Sequence, residues 1–543
     1  MSARLLTALL AVAGVAYAKK PPFNVVEATI PQMQTALKER RVTSRELVTQ
    51  YLVRLAVYED KLHAAIAVNP KALEEADVLD RERTHHKLRG PLHGIPVAVK
   101  DNIQTTNMPT TGGALAFDGF VPPYEATLVK NLRDAGAIII AKTGMTELAN
   151  WVAGDPTPMP SNYNAIAGYG MNPYDPRRDP RIATFDGRPA LSTGGSSSGI
   201  GTAANFWAAN VGTETSGSIL SPSNQNMLVG IKPTVGRVSR YGVIPITADQ
   251  DTPGPMAKTV ADAAIMLGAL EGKAPDPNDS ATSLCMRQDY RSSLDAHALR
   301  GARIGIPRAF FYDRGLNADQ AKVMSDAVEV LKRQGAIVVD PADIPGIDDF
   351  LRWGACSGAN EAKEQDAGCS VVLKYGMNRD FNKWLASLGP SAPVATLTAL
   401  REWNLAHMKA GAIKYGQSLL DISDEMDVAA DQTRYKADRA KDLALSATHG
   451  IDEVMKAGRL DALLFPGANG AAIAAKPGYP TVIVPFGMVP NAPAGAPFPE
   501  SFQAKPAPFG VSFTGLACAE PRLIALAYAF EQATKRRVPP PLP

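Results

Sequence analysis

Histidine is scarce in this chain, with seven in 543 residues. They are scattered, none sits in a recognisable catalytic setting, and no Cys/His spacing suggests a zinc site. Cysteine is scarcer still, at four. Charge of one sign is also missing: 56 basic residues face 54 acidic ones, a net +2 that gives no electrostatic footprint for nucleic acid. Beyond the N-terminus no apolar run is long enough to span a bilayer. No S-x-x-K pair occurs, so the serine site of penicillin-binding proteins and β-lactamases lacks its motif. No internal repeat is visible. Hydrophobic residues at 45% and charged ones at 20% permit a sizeable buried core.

What the chain does have is glycine and serine close together. Between Leu191 and Leu220, Gly194, Gly195, Gly199 and Gly201 surround Ser196-Ser197-Ser198. That spacing allows close backbone approach and predicts a rigid turn. The small residues that follow predict a short helix over 199–210, leading from one serine cluster to the next. Gly212-Thr213-Glu214-Thr215-Ser216-Gly217-Ser218 then reads as a turn whose backbone N–H groups converge as an anion-binding nest closed by Ser218. Upstream, Val97, Ala98 and Val99 read as a short buried strand ending at Lys100. Taken alone, Lys100 also fits a snorkelling amine or a partner for Asp101.

Two other readings compete for the same loop. Gly195-Ser196-Ser197-Ser198-Gly199 satisfies the G-x-S-x-G elbow of α/β-hydrolase serine esterases, which makes Ser197 the nucleophile. The elbow needs an apolar strand before it and an acid then a histidine after it. Here 185–190 is turn-like, and His297, His407 and His449 have no catalytic context. A simple anion cradle is the second reading, but the loop has no G-K-[ST] ending and Lys100 is left without a task.

GIPVAVKDNI around Lys100, GGSSSG around Ser196, GTETSGS ending at Ser218, VGIKPTVGRVSRYGVIPI from Val229 and QDTPGPMAKTVADAA from Gln250 together resemble the amidase signature family. The likeness is strongest to bacterial enzymes that deamidate peptide C-termini. LRDAGAIIIAKTGMTE from Leu132 and EPRLIALAYAFEQAT near the C-terminus extend it. Matching is strong over 90–265 and 478–537 and loose over a helical middle, 275–465, where substrate choice is expected to reside.

The resemblance implies an α/β fold, one large mixed twisted sheet with helices on both faces. It implies Ser218 as nucleophile, Ser196 as bridging serine and Lys100 as base. Backbone N–H groups from Thr215, Ser216, Gly217 and Ser218 form the oxyanion hole, and Gly195 and Thr213 are supporting residues. A non-proline cis peptide between Gly195 and Ser196 comes with the same pattern. Lys100 can act as a base only when neutral, so burial that lowers its pKa belongs to the chemistry. No cofactor or metal is implied. The partner is a small-molecule or short-peptide amide substrate, with aryl acylamides and fatty amides still open as classes. Two features depart from the family pattern: the Ser196–Ser218 segment is slightly short near 202–205, and Ser216 stands where glycine is common.

The N-terminus reads as a secretory leader, residues 1–18, ahead of one amidase domain over 19–543. Arg4 precedes the apolar run Leu5–Val15, and Ala16-Tyr17-Ala18 forms the cleavage pattern. An exported enzyme, periplasmic or secreted and without a membrane anchor once the leader is removed, places the cysteines in an oxidising compartment. Cys356 and Cys369 are close enough in sequence to bridge, and Cys518 reads as a small core residue. Helix-then-strand pairs at 128–135/137–141 and 318–334/336–339, and a sheet element over 302–306, argue for α/β layering. Trp403, Met408, Tyr415 and Tyr435 read mostly as core. The proline-rich stretch 488–509 cannot be a regular helix and is expected to cover the sheet edge rather than border the pocket.

Overall fold

The computed structural model describes residues 22–181, 186–493 and 496–542, so the expected leader lies outside the described residues. Thirteen strands are present among them. In chain order they are β1 (Ala65–Val68), β2 (Pro96–Lys100), β3 (Ile138–Thr143), β4 (Tyr163–Asn164), β5 (Gly168–Tyr169), β6 (Ala209–Glu214) and β7 (Val229–Lys232). They continue as β8 (Thr252–Ala257), β9 (Arg303–Gly305), β10 (Ile337–Val339), β11 (Ala462–Pro466), β12 (Thr481–Val489) and β13 (Ala507–Thr514). Eleven of them form one sheet in the order β1-β3-β2-β6-β8-β7-β12-β13-β11-β9-β10, and β4 and β5 pair separately. β2 runs parallel to β3 and β6, and β9 parallel to β10 and β11, while the central pairs from β6/β8 to β12/β13 are antiparallel.

Every residue of β2, β3, β6, β7, β8, β11 and β13 is buried. Successive side chains on a strand point to opposite faces, so this pattern requires cover on both sides of the sheet. Helix Val260–Glu271 packs on β8, and helices Ala318–Arg333 and Glu520–Thr534 pack on β12. The α/β architecture expected from the sequence is thus present. Helix Ser44–Leu62 starts at the expected capping box, with Thr43 Oγ1 accepting from Glu46 N at 3.1 Å and Glu46 Oε2 accepting from Thr43 N at 2.8 Å.

Several local expectations are corrected. The helix read over 199–210 is only Ile200–Ala203, because Asn205 takes φ 59° and the Trp207 indole packs against Gly201 before β6 begins. The proline-rich stretch joins β12 to β13, two neighbouring central strands, and is a hairpin connection rather than an edge cover. Trp403 and Tyr415 are half-buried and pack against the main core, Tyr435 is half-buried against a smaller cluster, and only Met408 is exposed and departs from the expectation. Tyr435 stacks on Tyr375 at 4.3 Å, and Trp403 stacks on His407 at 3.8 Å. The described cis bonds are Asp155–Pro156 and Asp340–Pro341, and Gly195–Ser196 is not among them.

Cys356 and Cys369 are joined, as their spacing suggested, with Cα atoms 5.1 Å apart. Cys518 is no core residue. It is half-buried, in a loop with φ 66°, and bonds Cys285, whose Cα is 5.5 Å away although 233 positions separate the two. Among the described residues no helix is long and apolar enough to cross a membrane. Closing a long loop restricts the unfolded chain more than closing a short one. Replacing Cys285 and Cys518 by serine is therefore expected to cost about 2–4 kcal/mol, seen as a lower thermal midpoint, and replacing Cys356 and Cys369 to cost less.

Candidate active site

Parallel pairing fixes the first part of the site. Ala98 and Val99 of β2 sit opposite Asn210 and Val211 of β6, so the two strands end at the same edge and Lys100 arrives beside Thr213. Lys100 is fully buried, and its Nζ donates to Ser196 Oγ at 2.9 Å, Thr213 Oγ1 at 2.9 Å and Thr213 O at 3.3 Å. Burial drives its pKa down to about 7; the carboxylates of Asp251 and Glu214 pull weakly the other way. Asp101 is not its partner. That carboxylate faces the buried amine of Lys142 at 3.4 Å and accepts from the Thr111 hydroxyl and backbone N–H.

The serine loop is pinned on all sides. Thr146 N donates to Ser196 O, Asn162 Nδ2 to Thr193 Oγ1 and Asn210 Nδ2 to Ser198 O. Gly195 lets this loop lie against the next one, because a β-carbon there would stand 3.0 Å from Ser218 Cα. Ser197 is fully buried and its hydroxyl is consumed by Thr213, donating to the carbonyl at 3.0 Å and accepting from the N–H at 3.2 Å. The elbow reading thus has no accessible hydroxyl at Ser197.

After β6 the chain turns sharply through 215–219, with Gly217 at φ 93°, a conformation that disfavours a side chain. Buried Glu214 sets the exit by accepting from Ile219 N at 2.7 Å and Leu220 N at 2.9 Å. Buried Asp251 sets the entry: its Oδ1 accepts from Thr215 Oγ1 at 2.5 Å, its Oδ2 accepts from Ile246 N and Thr247 N, and Gln250 Nε2 donates to Thr215 O. Burial lifts the Asp251 pKa to about 6, against the lowering effect of the Thr215 hydroxyl. Held at both ends, the backbone N–H groups of Ser216, Gly217 and Ser218 find no acceptor among the described residues. They form a set of unspent donors of the kind that binds an oxyanion.

Ser218 is half-buried and opens into a cavity of about 280 Å³. Trp151, Ala153, Leu373, Leu419 and Ile246 give it an apolar wall. Leu373 and Leu419 come from the helical middle, and none of 490–509 lines it. Leu148, Ala149 and Asn150 all have left-handed φ, at 42°, 59° and 72°, and the latter two lie on the cavity wall. Such conformations are costly for residues with a side chain and gather at functional sites. Ser197 N donates to Ser218 O at 3.3 Å, which ties the two serine segments together, but among the described residues no hydrogen bond joins the Ser218 and Ser196 hydroxyls. Catalytic contacts often tighten only when substrate is bound.

All the residues singled out in sequence therefore meet at one edge of the sheet: Lys100, Ser196, Thr213 and the 215–218 turn. Glu214, Asn102 and Asp251 were not singled out. Asn102 Nδ2 donates to Thr213 Oγ1 at 3.1 Å and so fixes the hydroxyl that Lys100 uses. Their motifs contained them, but only folding reveals what each holds. Among the described residues no cluster of side chains could hold a metal ion.

A family model described as Amidase matches residues 46–524. The crystal structure of native peptide amidase from Stenotrophomonas maltophilia is similar at TM-score 0.81 and 36% identity, covering 96% of this chain and 99% of that one. An amidase family protein from Bacillus anthracis is similar at TM-score 0.79 and 30% identity, covering 95% and 93%. An Arabidopsis thaliana protein named a probable amidase is 34% identical over 526 residues, 95% of this chain and 92% of that protein. The chain belongs to the amidase signature family and is an amide hydrolase.

Proposed function

We propose that the enzyme removes the C-terminal carboxamide nitrogen of peptides through an acyl-enzyme on Ser218, with Lys100 as base and Ser196 as the bridge between them. The observation that carries this reading is the buried Lys100 amine, 2.9 Å from the Ser196 hydroxyl and poised near neutral pH. In the neutral form it draws a proton from Ser196, which in turn takes that of Ser218 as the hydroxyl attacks the carbonyl carbon. The N–H groups of Ser216, Gly217 and Ser218, with Thr215 as anchor, receive the oxyanion. The proton then returns along the same path to the departing nitrogen, the C–N bond breaks, and water later frees the acyl group. The peptide assignment is supported by the likeness to the Stenotrophomonas maltophilia enzyme and by the apolar cavity beside Ser218. We further propose that the enzyme is exported and works in an oxidising compartment. Two disulfides and the leader pattern support this.

Ammonia release from amidated dipeptides, set beside anilides and long-chain amides, tests the substrate class; turnover of long-chain amides alone would overturn the peptide assignment. Ser218→Ala is expected to abolish turnover and fluorophosphonate labelling, Lys100→Ala to cost about 10²- to 10⁴-fold, and Ser197→Ala to keep substantial activity. Equal loss from Ser197→Ala and Ser218→Ala would count against Ser218 as nucleophile.

The tie between Thr215 and Asp251 yields a separate expectation. Thr215→Val should lower kcat by about 10- to 100-fold with little change in KM, because the donors shift while ground-state binding does not, and Thr215→Ser should restore it.

The pH profile gives a third check. Since the ammonium form of Lys100 cannot accept a proton, kcat/KM is expected to rise with pH through an inflection near 7. Asp251→Asn removes a negative charge that helps keep the proton on Lys100, so the inflection should move to lower pH; an upward move or none would contradict the assignment.

A further inference from the structure

The loop 246–251 has two sides. Its inner side holds the oxyanion turn: Asp251 accepts from the Thr215 hydroxyl at 2.5 Å, and Gln250 Nε2 donates to Thr215 O at 3.1 Å. Its outer side is gripped by the helical middle. Ala248 N donates to Asp380 Oδ2 at 2.7 Å, and the Asp249 carboxylate accepts from the Tyr435 hydroxyl at 2.8 Å and from Arg379 Nη2 at 3.1 Å. Arg379 also forks onto Asp380, its Nε donating to Oδ1 at 2.8 Å and its Nη2 to Oδ2 at 2.7 Å. The guanidinium lies over the stacked rings of Tyr375 and Tyr435, 5.7 and 5.2 Å from their centroids. Helix and loop are packed without slack, since a β-carbon on Gly376, at the end of helix Val372–Gly376, would collide with the Thr247 hydroxyl.

We propose that Arg379 is a positioning residue for acyl transfer: by tying Asp249 of the loop to Asp380 of the helical middle it fixes the loop 246–251, and through Asp251 and Thr215 it sets the aim of the N–H groups of Ser216, Gly217 and Ser218. The inference rests on the Ser218–Ser196–Lys100 reading. Two half-buried carboxylates on one cation repel each other once that cation is gone, and Arg439, on the other side of Asp249, is 3.8 Å away. A planar guanidinium can serve both carboxylates at once, which an ammonium cannot do with the same geometry. Arg379 does not line the cavity that holds Ser218, so it acts on the reaction only through the loop. The substrate wall is anchored separately. Leu373 shares its helix with Gly376, but its neighbour Lys374 is held by Asp366 Oδ2 at 2.6 Å and Glu361 O at 2.9 Å. Loss of Arg379 therefore shifts donors that act in the transition state and leaves ground-state binding in place.

Arg379→Gln is expected to lower kcat for an amidated dipeptide by about 10- to 100-fold, the cost of a displacement on the order of 1 Å, with little change in KM. Arg379→Lys keeps the charge without the fork and is expected to recover part of the loss. Tyr435→Phe removes only the hydroxyl on Asp249 and should lower kcat by about 3- to 10-fold, the worth of one hydrogen bond; it carries the test if Arg379→Gln does not fold. The route is read from a double-mutant cycle with Thr215→Val. Added to Thr215→Val, either change should lower kcat far less than it does alone, because the tie it acts through is already cut. Full additivity with Thr215→Val overturns the positioning role, as does a loss confined to the thermal midpoint or to KM in both folded variants. Turnover retained by Ser218→Ala, or no fluorophosphonate labelling of Ser218 in the wild type, would instead overturn the relay on which the inference depends.

Discussion

A single amine without water around it governs this molecule. Lys100 Nζ is fully buried and surrounded by the Ser196 hydroxyl and two oxygens of Thr213. An ammonium ion in such a place loses its hydration and keeps only dipoles, so its proton is held loosely, with a pKa near 7. Asp251 and Glu214 prevent a further fall, because their charges lie close enough to favour the ammonium form. The scaffold has to keep that balance while leaving Ser218 open to a cavity.

The sheet does so through register. Because β2 and β6 run parallel and adjacent, their ends stop at a common edge, and the loop carrying Ser196 is laid over them by the hydroxyl of Ser197. Two carboxylates then clamp the turn after β6, Asp251 on its first residue and Glu214 on its last. Unspent backbone donors are stable there because the surrounding hydrogen bonds hold the turn from both sides. On the proposed relay, base, bridge, nucleophile and oxyanion donors thus come from two strand ends and the loops attached to them. The helical middle contributes wall rather than chemistry, through Leu373 and Leu419.

Much of this was legible in the sequence. The apolar run into Lys100, the glycines around Ser196 and the GTETSGS turn each have a local physical meaning, and they do converge. Long-range pairings were not legible. Cys518 looked like a core residue because its neighbours are apolar, yet it lies half-buried in a left-handed turn and bonds Cys285, 233 positions away. Asp101 looked like a partner for Lys100 because it is adjacent, but neighbouring strand-end residues point apart and Asp101 meets Lys142 on β3 instead. The residues of the middle region looked like core by type; Trp403, Tyr415 and Tyr435 do pack against core clusters from half-buried positions, whereas Met408 is exposed, and which of them reach the core was decided by contacts far along the chain.

By itself the sequence determined the layered α/β class and the family resemblance, and through that resemblance proposed Lys100, Ser196 and Ser218 as the reacting side chains, since residue type and short-range motifs carry both. Tertiary structure decided which carboxylates hold the 215–218 turn, and that Ser197 is spent on Thr213 while Ser218 faces the cavity. The reason is that the first set depends on neighbours along the chain. The second depends on strand register and on contacts between residues far apart in sequence, and no local pattern encodes either.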